Sequence, residues 1–130
     1  MAKTSLSAGE IIRSMLLGSE AVSAITTRIF PVATDKAELP YVAYRRSKHE
    51  QQPSKAGYAG ADTVQIEVNC YSAGYAEGLA LAEAVREALD CQSAETESLL
   101  MRSCVLADSE EYWADGADAY VQNLVFNIKI

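Results

Sequence analysis

The strongest constraint on the fold is a change of hydrophobic period in the middle of the chain. From Thr63 to Tyr71, apolar and polar residues alternate strictly, which is typical of a strand with one buried face. From about Gly74 to Leu89, apolar residues recur at helical spacing among many alanines, so this segment is predicted to be a long helix. Its small side chains allow close packing on a sheet. The two patterns together indicate a sheet covered by helices.

Weaker patterns predict the remaining elements. Ser7 and Glu10 have the spacing of a capping box, and Leu6 and Ile11 have the spacing of a hydrophobic staple. They precede a predicted helix from Ala8 to Leu17, which Gly18 would end in a left-handed conformation. The other predicted elements are a helical turn starting at Ser19 and Glu20, and strands over Ile29–Val32, Tyr41–Lys48, Leu99–Ala107 and Tyr120–Ile130.

The order of these elements predicts an α+β domain that spans residues 1–130. We expect a mostly antiparallel sheet of four to five strands, with an N-terminal helix and one long helix packed on one face. No parallel crossover is required. Residues 91–98 are predicted to be a polar connection, and Asp108–Asp118 a long acidic hairpin tip that turns at Asp115-Gly116.

Charge and cysteine content exclude several classes of function. The net charge is -7, and it is unevenly distributed, with +2 in residues 1–65 and -9 in residues 66–130. An acidic surface repels phosphate and anionic lipid, which argues against general nucleic-acid or membrane-surface binding. The three cysteines show no C-x-x-C spacing and are expected to be reduced intracellular thiols. The apolar run from Ile11 to Leu17 is too short to span a bilayer, and export is not indicated.

The residues that carry chemistry do not form a recognisable catalytic or metal-binding pattern. His49 is the single histidine, and neither Ser47 nor Ser54 lies in a known nucleophile motif. The acidic tip lacks the spacing of a calcium loop, and the glycines form no phosphate-binding loop. We therefore expect no catalytic residue, no metal and no cofactor, and the chain is not expected to be an enzyme.

Two charged segments and one aromatic pair are the candidate interaction residues. Each also has a simpler interpretation: the charges can be solvated, and the aromatic rings can pack on the domain's own sheet. If they do form contacts, a basic segment of one copy could meet the acidic segment of the next copy or of another protein. The candidates are Arg45, Arg46, Lys48, Lys55 and the nearby Tyr58 on the basic side, and Asp108, Glu110, Glu111, Tyr112, Trp113 and Asp115 on the acidic side.

Several motifs, taken in order along the chain, resemble the small tail-completion proteins of long-tailed bacteriophages, a group that includes tail terminators and tail-to-head joining proteins. The resemblance covers about four fifths of the chain. The motifs that carry it are Arg28-Ile29-Phe30-Pro31, Leu39-Pro40-Tyr41-Val42-Ala43-Tyr44, the strand Val64–Tyr71, Tyr75-Ala76-Glu77 at the start of the long helix, and the closing strand Tyr120–Ile128.

This resemblance implies a non-enzymatic virion protein that caps the head-proximal end of a tail tube. Such a protein ends tube polymerisation, joins the tail to the head connector and typically acts as a six-fold ring. The implied partners are further copies of the chain, the tail tube protein and the head-completion connector, and DNA passes through the channel without specific binding. No membrane or small-molecule substrate is implied. The protein is expected in the tail or neck of the virion, after assembly in the host cytoplasm.

Two alternatives stay open from the sequence. One is a different neck component, such as a head-completion connector or stopper. The other is a small α+β module that binds a small molecule, with the loop at residues 49–62 placed over a pocket.

Overall fold

The structure is a computed structural model, and it describes residues 4–32, 38–50, 62–96 and 99–130. A 3₁₀ turn over Ser5–Ser7 leads directly into the first helix. The remaining elements are α1 (Ala8–Leu17), α2 (Glu20–Ser23), β1 (Ile29–Pro31), β2 (Tyr41–Glu50), β3 (Thr63–Ser72), α3 (Tyr75–Leu89), β4 (Gln92–Glu95), β5 (Leu100–Ala114) and β6 (Ala119–Lys129).

The strands form one six-stranded sheet in the order β1-β2-β3-β6-β5-β4. This confirms an α+β fold with a mostly antiparallel sheet, but the predicted number of four to five strands was too low. The strand that was missed is β4, an edge strand within the segment predicted to be a polar connection. The β1–β2 pair is parallel, so the expectation that no parallel crossover occurs was also wrong.

The structure confirms the alternation predicted for the central strand, β3. Burial along β3 alternates residue by residue, and its buried side chains include Val64, Ile66 and Val68. They belong to one hydrophobic core together with Leu81 and Val85 of α3. The helices therefore cover one face of the sheet, as predicted, and burial of this apolar surface is the main driving force for the fold.

The opposite side of the sheet is called the distal face below. It carries the other set of β3 side chains, from Thr63 to Tyr71. Strand register aligns residues of four strands into rows on this face. One row is Tyr41, Tyr71, Val121 and Tyr112, and another is Arg45, Glu67, Val125 and Asp108.

The predicted hairpin tip is largely strand. Strand β5 continues to Ala114, and only the four residues from Asp115 to Asp118 lie in the turn. The positive φ of the turn, 51°, is at Asp118 and not at the predicted Asp115-Gly116. Cross-strand pairing with β6 from Asp108 onward satisfies the backbone of this segment and overrides its low strand propensity.

The start and end of α1 also differ from the prediction. Ser7 makes no side-chain cap; the side chain of Thr4 instead accepts a hydrogen bond from the Leu6 amide, at 3.3 Å. Leu6 is 58% exposed, so it forms no buried staple. Gly18 keeps a right-handed conformation, with φ of -82°. Among the described residues, no helix combines the length and the apolar character needed to cross a membrane.

Candidate interaction surfaces

The described basic residues of β2 do not form a single surface. Arg45 lies on the distal face and forms an ion pair with Glu67. Arg46 points to the other face, where its Nη1 donates a hydrogen bond to the backbone oxygen of Leu6 at 3.0 Å. Lys48 pairs with Glu50 at 2.9 Å. Two further candidates, Lys55 and Tyr58, lie outside the described residues.

The acidic candidates are likewise divided between two faces of β5. Asp108 and Glu110 are on the distal face, opposite Val125 and Asn123 of β6. Glu111 is on the helix-covered face, and Asp115 lies in the turn. All four are exposed.

A polar network on the distal face lies between the basic and acidic flanks of the sheet. The Nδ2 of Asn123 donates to Asn69 at 2.6 Å and to Glu67 at 3.2 Å, and Glu67 also binds Arg45. Asn123 is a direct cross-strand partner of Glu110. The distal face thus runs from a basic β2 to an acidic β5, with hydrogen-bonded polar groups between them.

The aromatic pair Tyr112-Trp113 separates because neighbouring residues of a strand point to opposite faces. Trp113 lies 5.0 Å from Tyr120, ring centre to ring centre, at an interplanar angle of 77°. Tyr120 in turn lies 5.9 Å from Tyr75, at an angle of 79°. These three side chains, here called the aromatic patch, are 46%, 37% and 45% exposed, respectively.

Glu111 links Tyr75 of the aromatic patch to the β5–β6 hairpin. The hydroxyl of Tyr75 donates to Glu111 Oε2 at 2.8 Å, and Gln122 Nε2 donates to the same oxygen at 2.8 Å. The bonds from Gln122 and Tyr75 lower the pKa of Glu111, and the bond to Glu111 raises the pKa of Tyr75. The start of α3 is thereby fixed to the β5–β6 hairpin, beside a groove of about 210 Å³.

Sequence reasoning identified Trp113 but missed the other two members of the aromatic patch. Tyr75 is the first of the apolar residues that recur at helical spacing in the predicted long helix, which predicts a buried ring, whereas the structure exposes it. Alternation along β6 does place Tyr120 on the face of Leu124. Its contact with Trp113 depends on the strand register, which the sequence does not contain.

A second polar cluster joins the chain start to the sheet. The Ser5 hydroxyl donates to Asp62 Oδ2 at 2.7 Å and lies 2.7 Å from His49 Nε2. The same imidazole nitrogen is 3.6 Å from the Asp62 carboxylate. A catalytic triad needs the acid on the other imidazole nitrogen and a serine that donates to the histidine, so these three side chains form a structural link. No sequence signal connects Ser5 to His49, 44 residues away.

Ser47, Cys70 and Cys104 have ordinary environments. Ser47 donates to the Gln65 side chain at 2.9 Å, and Ser54 lies outside the described residues. Cys70 and Cys104 are buried, and burial raises the pKa of each thiol to about 12. Within the described ranges, no group of three or more His, Cys, Asp or Glu side chains is arranged to hold a metal.

Comparison with known proteins identifies the family. A family model described as tail completion protein gp17 matches residues 10–121, from α1 into β6. The chain belongs to this family. It is thus a phage tail completion protein, a structural protein of the virion tail or neck, and the resemblance seen in its sequence motifs is confirmed.

The fold of this tail completion protein also occurs in a solved particle. A chain from the virion of a native gene transfer agent superposes on it with a TM-score of 0.80, over 98% of each chain and at 16% sequence identity. At this identity the likeness establishes a common fold. No curated protein sequence matches the chain.

Proposed function

We propose that this tail completion protein is a non-enzymatic cap on the head-proximal end of a tail tube. In this role it ends tube polymerisation and joins the tail to the head connector as a six-fold ring. The observation that carries the proposal is the family match, since it extends from α1 into β6 and includes nearly every element of the fold.

The charge distribution of the subunit supports a head-to-tail ring. A closed ring of identical subunits needs two different complementary surfaces on opposite sides of each subunit. On the distal face, Arg45 and Lys48 lie on β2, whereas Asp108 and Glu110 lie on β5, with β3 and β6 between them. Each subunit can therefore present its basic flank to the acidic flank of the next.

The internal ion pairs of β2 leave donors for such a contact. A guanidinium group has five N–H donors and an ammonium group has three. The Arg45 and Lys48 side chains are 50% and 62% exposed even though each pairs with a carboxylate. An incoming carboxylate can extend these pairs into a network without breaking them.

Electron microscopy of the purified protein at high concentration, with and without tail tubes, tests the ring. We expect six-fold rings, on the tube end if not in free solution. Arg45→Glu with Lys48→Glu is expected to reduce the ring fraction about tenfold, since each lost contact between complementary charges weakens closure. Arg102→Glu, which reverses an exposed charge elsewhere, is the matched control.

A compensating variant separates a specific contact from a general charge effect. Adding Asp108→Lys with Glu110→Lys to the Arg45→Glu, Lys48→Glu background should restore rings, because it exchanges the two charged flanks. Rings of the double glutamate variant that form as well as wild type would contradict the charge contact. Particles whose tails keep normal length and remain joined to heads after deletion of the protein would contradict the capping role.

A further inference from the structure

The aromatic patch has the physical properties of a preorganised docking site for another protein. Tyr75, Trp113 and Tyr120 are each more than one third exposed, and the rings of Tyr75 and Trp113 each contact Tyr120 edge to face. The bond from Tyr75 to Glu111 fixes the patch across two elements, α3 and the β5–β6 hairpin. Little conformational entropy is lost when a partner binds rigid aromatic rings, and Trp and Tyr contribute strongly to protein interfaces.

The charge around the aromatic patch defines the chemistry of its partner. The segment from Ser103 to Ile128, which builds most of the β5–β6 hairpin, has no Lys or Arg. Of its carboxylates, Glu111 lies on the face of the patch, and Asp115 and Asp118 lie in the turn that follows Trp113 and precedes Tyr120. Glu77 adds another exposed carboxylate in the first turn of α3. Aromatic faces and carboxylates both attract cations, and both are a poor match for phosphate.

We propose that the aromatic patch binds an Arg- or Lys-bearing segment of a neighbouring virion protein, with a cationic side chain over the Trp113 ring. This rests on the proposed function, which places the chain between the tube and the connector. A second copy is a poorer occupant, because in the proposed ring Arg45 and Lys48 of the next copy meet Asp108 and Glu110 on the distal face, whereas the aromatic patch lies on the helix-covered face.

Site-directed crosslinking in assembled particles identifies the occupant directly. Tyr120 is replaced by the photoreactive amino acid benzoylphenylalanine, and the crosslinked peptides are mapped by mass spectrometry. We expect crosslinks to an Arg- or Lys-containing segment of another virion protein. Crosslinks only to further copies of this chain, to DNA or to a segment without basic residues would overturn the proposal, as would no crosslink in intact particles.

The control for the crosslinking experiment places the same photoreactive amino acid at an exposed position away from the aromatic patch. Leu100 of β5 is 47% exposed, which is more than the 37% of Tyr120, and it lies near the start of the strand, far along β5 from the patch. The same photoreactive amino acid at Leu100 should not crosslink to the segment captured at Tyr120. Capture of the same segment from both positions would show non-specific contact.

Substitutions of Trp113 test the cation contact itself. Trp113→Leu keeps an apolar side chain but removes the aromatic ring, and Trp113→Phe keeps a weaker ring. We expect the fraction of tails joined to heads to fall about tenfold for leucine and less for phenylalanine, with unchanged melting temperature of the isolated protein. Leu100→Ala is the control. Equal joining by Trp113→Leu and wild type would overturn the proposal.

Deletion of the protein distinguishes failure of this inference from failure of the proposed function. If particles without the protein are defective but the Trp113 variants assemble normally, only the assignment of the aromatic patch is wrong. If particles without the protein are normal, the proposed function itself fails.

Discussion

At the scale of single residues, the contact between Gly78 and Ser72 sets how closely α3 approaches the sheet. Gly78 is a buried position of the helix, and a β-carbon there would overlap the Ser72 hydroxyl oxygen. That hydroxyl donates to the backbone oxygen of Gly74 at 2.7 Å, just before α3 begins. The missing side chain thus allows a hydrogen bond that orients the start of the helix, next to Tyr75.

Gly78→Ala is expected to destabilise the protein by about 1 kcal/mol. The Ser72 hydroxyl must rotate and lose its buried hydrogen bond, which costs roughly 1–3 kcal/mol, while alanine returns about 1 kcal/mol of helix propensity. Urea unfolding followed by circular dichroism measures the change.

A second substitution shows whether this overlap is the cause. In the Ser72→Ala background the obstructing oxygen is absent, so Gly78→Ala should become neutral or stabilising. Gly116→Ala is the control, because no atom lies within 4 Å of a β-carbon built there. A Gly78→Ala protein as stable as wild type would show that the helix simply shifts.

At the scale of elements, Asp90 connects the end of α3 to β5. Its carboxylate accepts a hydrogen bond from the Leu106 amide at 2.8 Å, where the β5 register shifts, and lies 3.5 Å from Arg86 Nε. The Leu106 amide first, and Arg86 second, hold the pKa of Asp90 below its usual range. A carboxyl group with a lowered pKa in the folded state favours folding only while it is ionised.

Asp90→Ala is therefore expected to lower the free energy of unfolding at neutral pH by about 1 kcal/mol. The contribution of Asp90 is complete above the unfolded pKa of about 4 and is lost as pH falls through the lower folded-state pKa. The wild-type advantage should thus shrink at acidic pH, as measured by urea unfolding across the range. Glu83→Gln, an exposed carboxylate of the same helix, should show no comparable change. A difference between wild type and variant that stays constant down to the lowest pH would contradict this role.

Elements whose hydrophobic residues recur with a clear period were predictable from the sequence. Elements that form only because they pair with another strand were not. The bounds of α1 match the prediction, and β3 and α3 agree within one residue at each end, since burial alone imposes their patterns. Strand β4 and the outer half of β5 carry polar sequences, and only their partners make them strands. The candidate residues were named from composition, but their division between two faces follows from register.

At the scale of the whole molecule, the fold places the weakly basic first half and the acidic second half of the chain at opposite sides of the sheet. The first half of the chain supplies β1 and β2 at one side of the sheet, and the second half supplies β5 and β4 at the other. A third charged surface lies on the helix layer, where Glu83, Glu87 and the pair of Arg86 and Asp90 line a groove of about 690 Å³ between α2 and α3. Glu20 of α2 lies in the adjoining groove.

If Asp108 and Glu110 contact the neighbouring subunit of the proposed ring, they are not available to line its central channel. The carboxylates of the helix layer are then the candidates to line it. Carboxylates on the channel wall would repel the phosphates of the DNA during passage. A lysine in their place would instead attract phosphate and add an affinity that depends on salt. We expect Glu20→Lys with Glu83→Lys and Glu87→Lys to slow DNA ejection from purified particles, and to do so more at low salt. The matching glutamine triple variant should have a smaller effect, because it removes repulsion without adding attraction. Ejection is followed by the fluorescence of a DNA-binding dye, after confirming equal amounts of the protein per particle. Unchanged ejection in the lysine variant would place these carboxylates outside the channel.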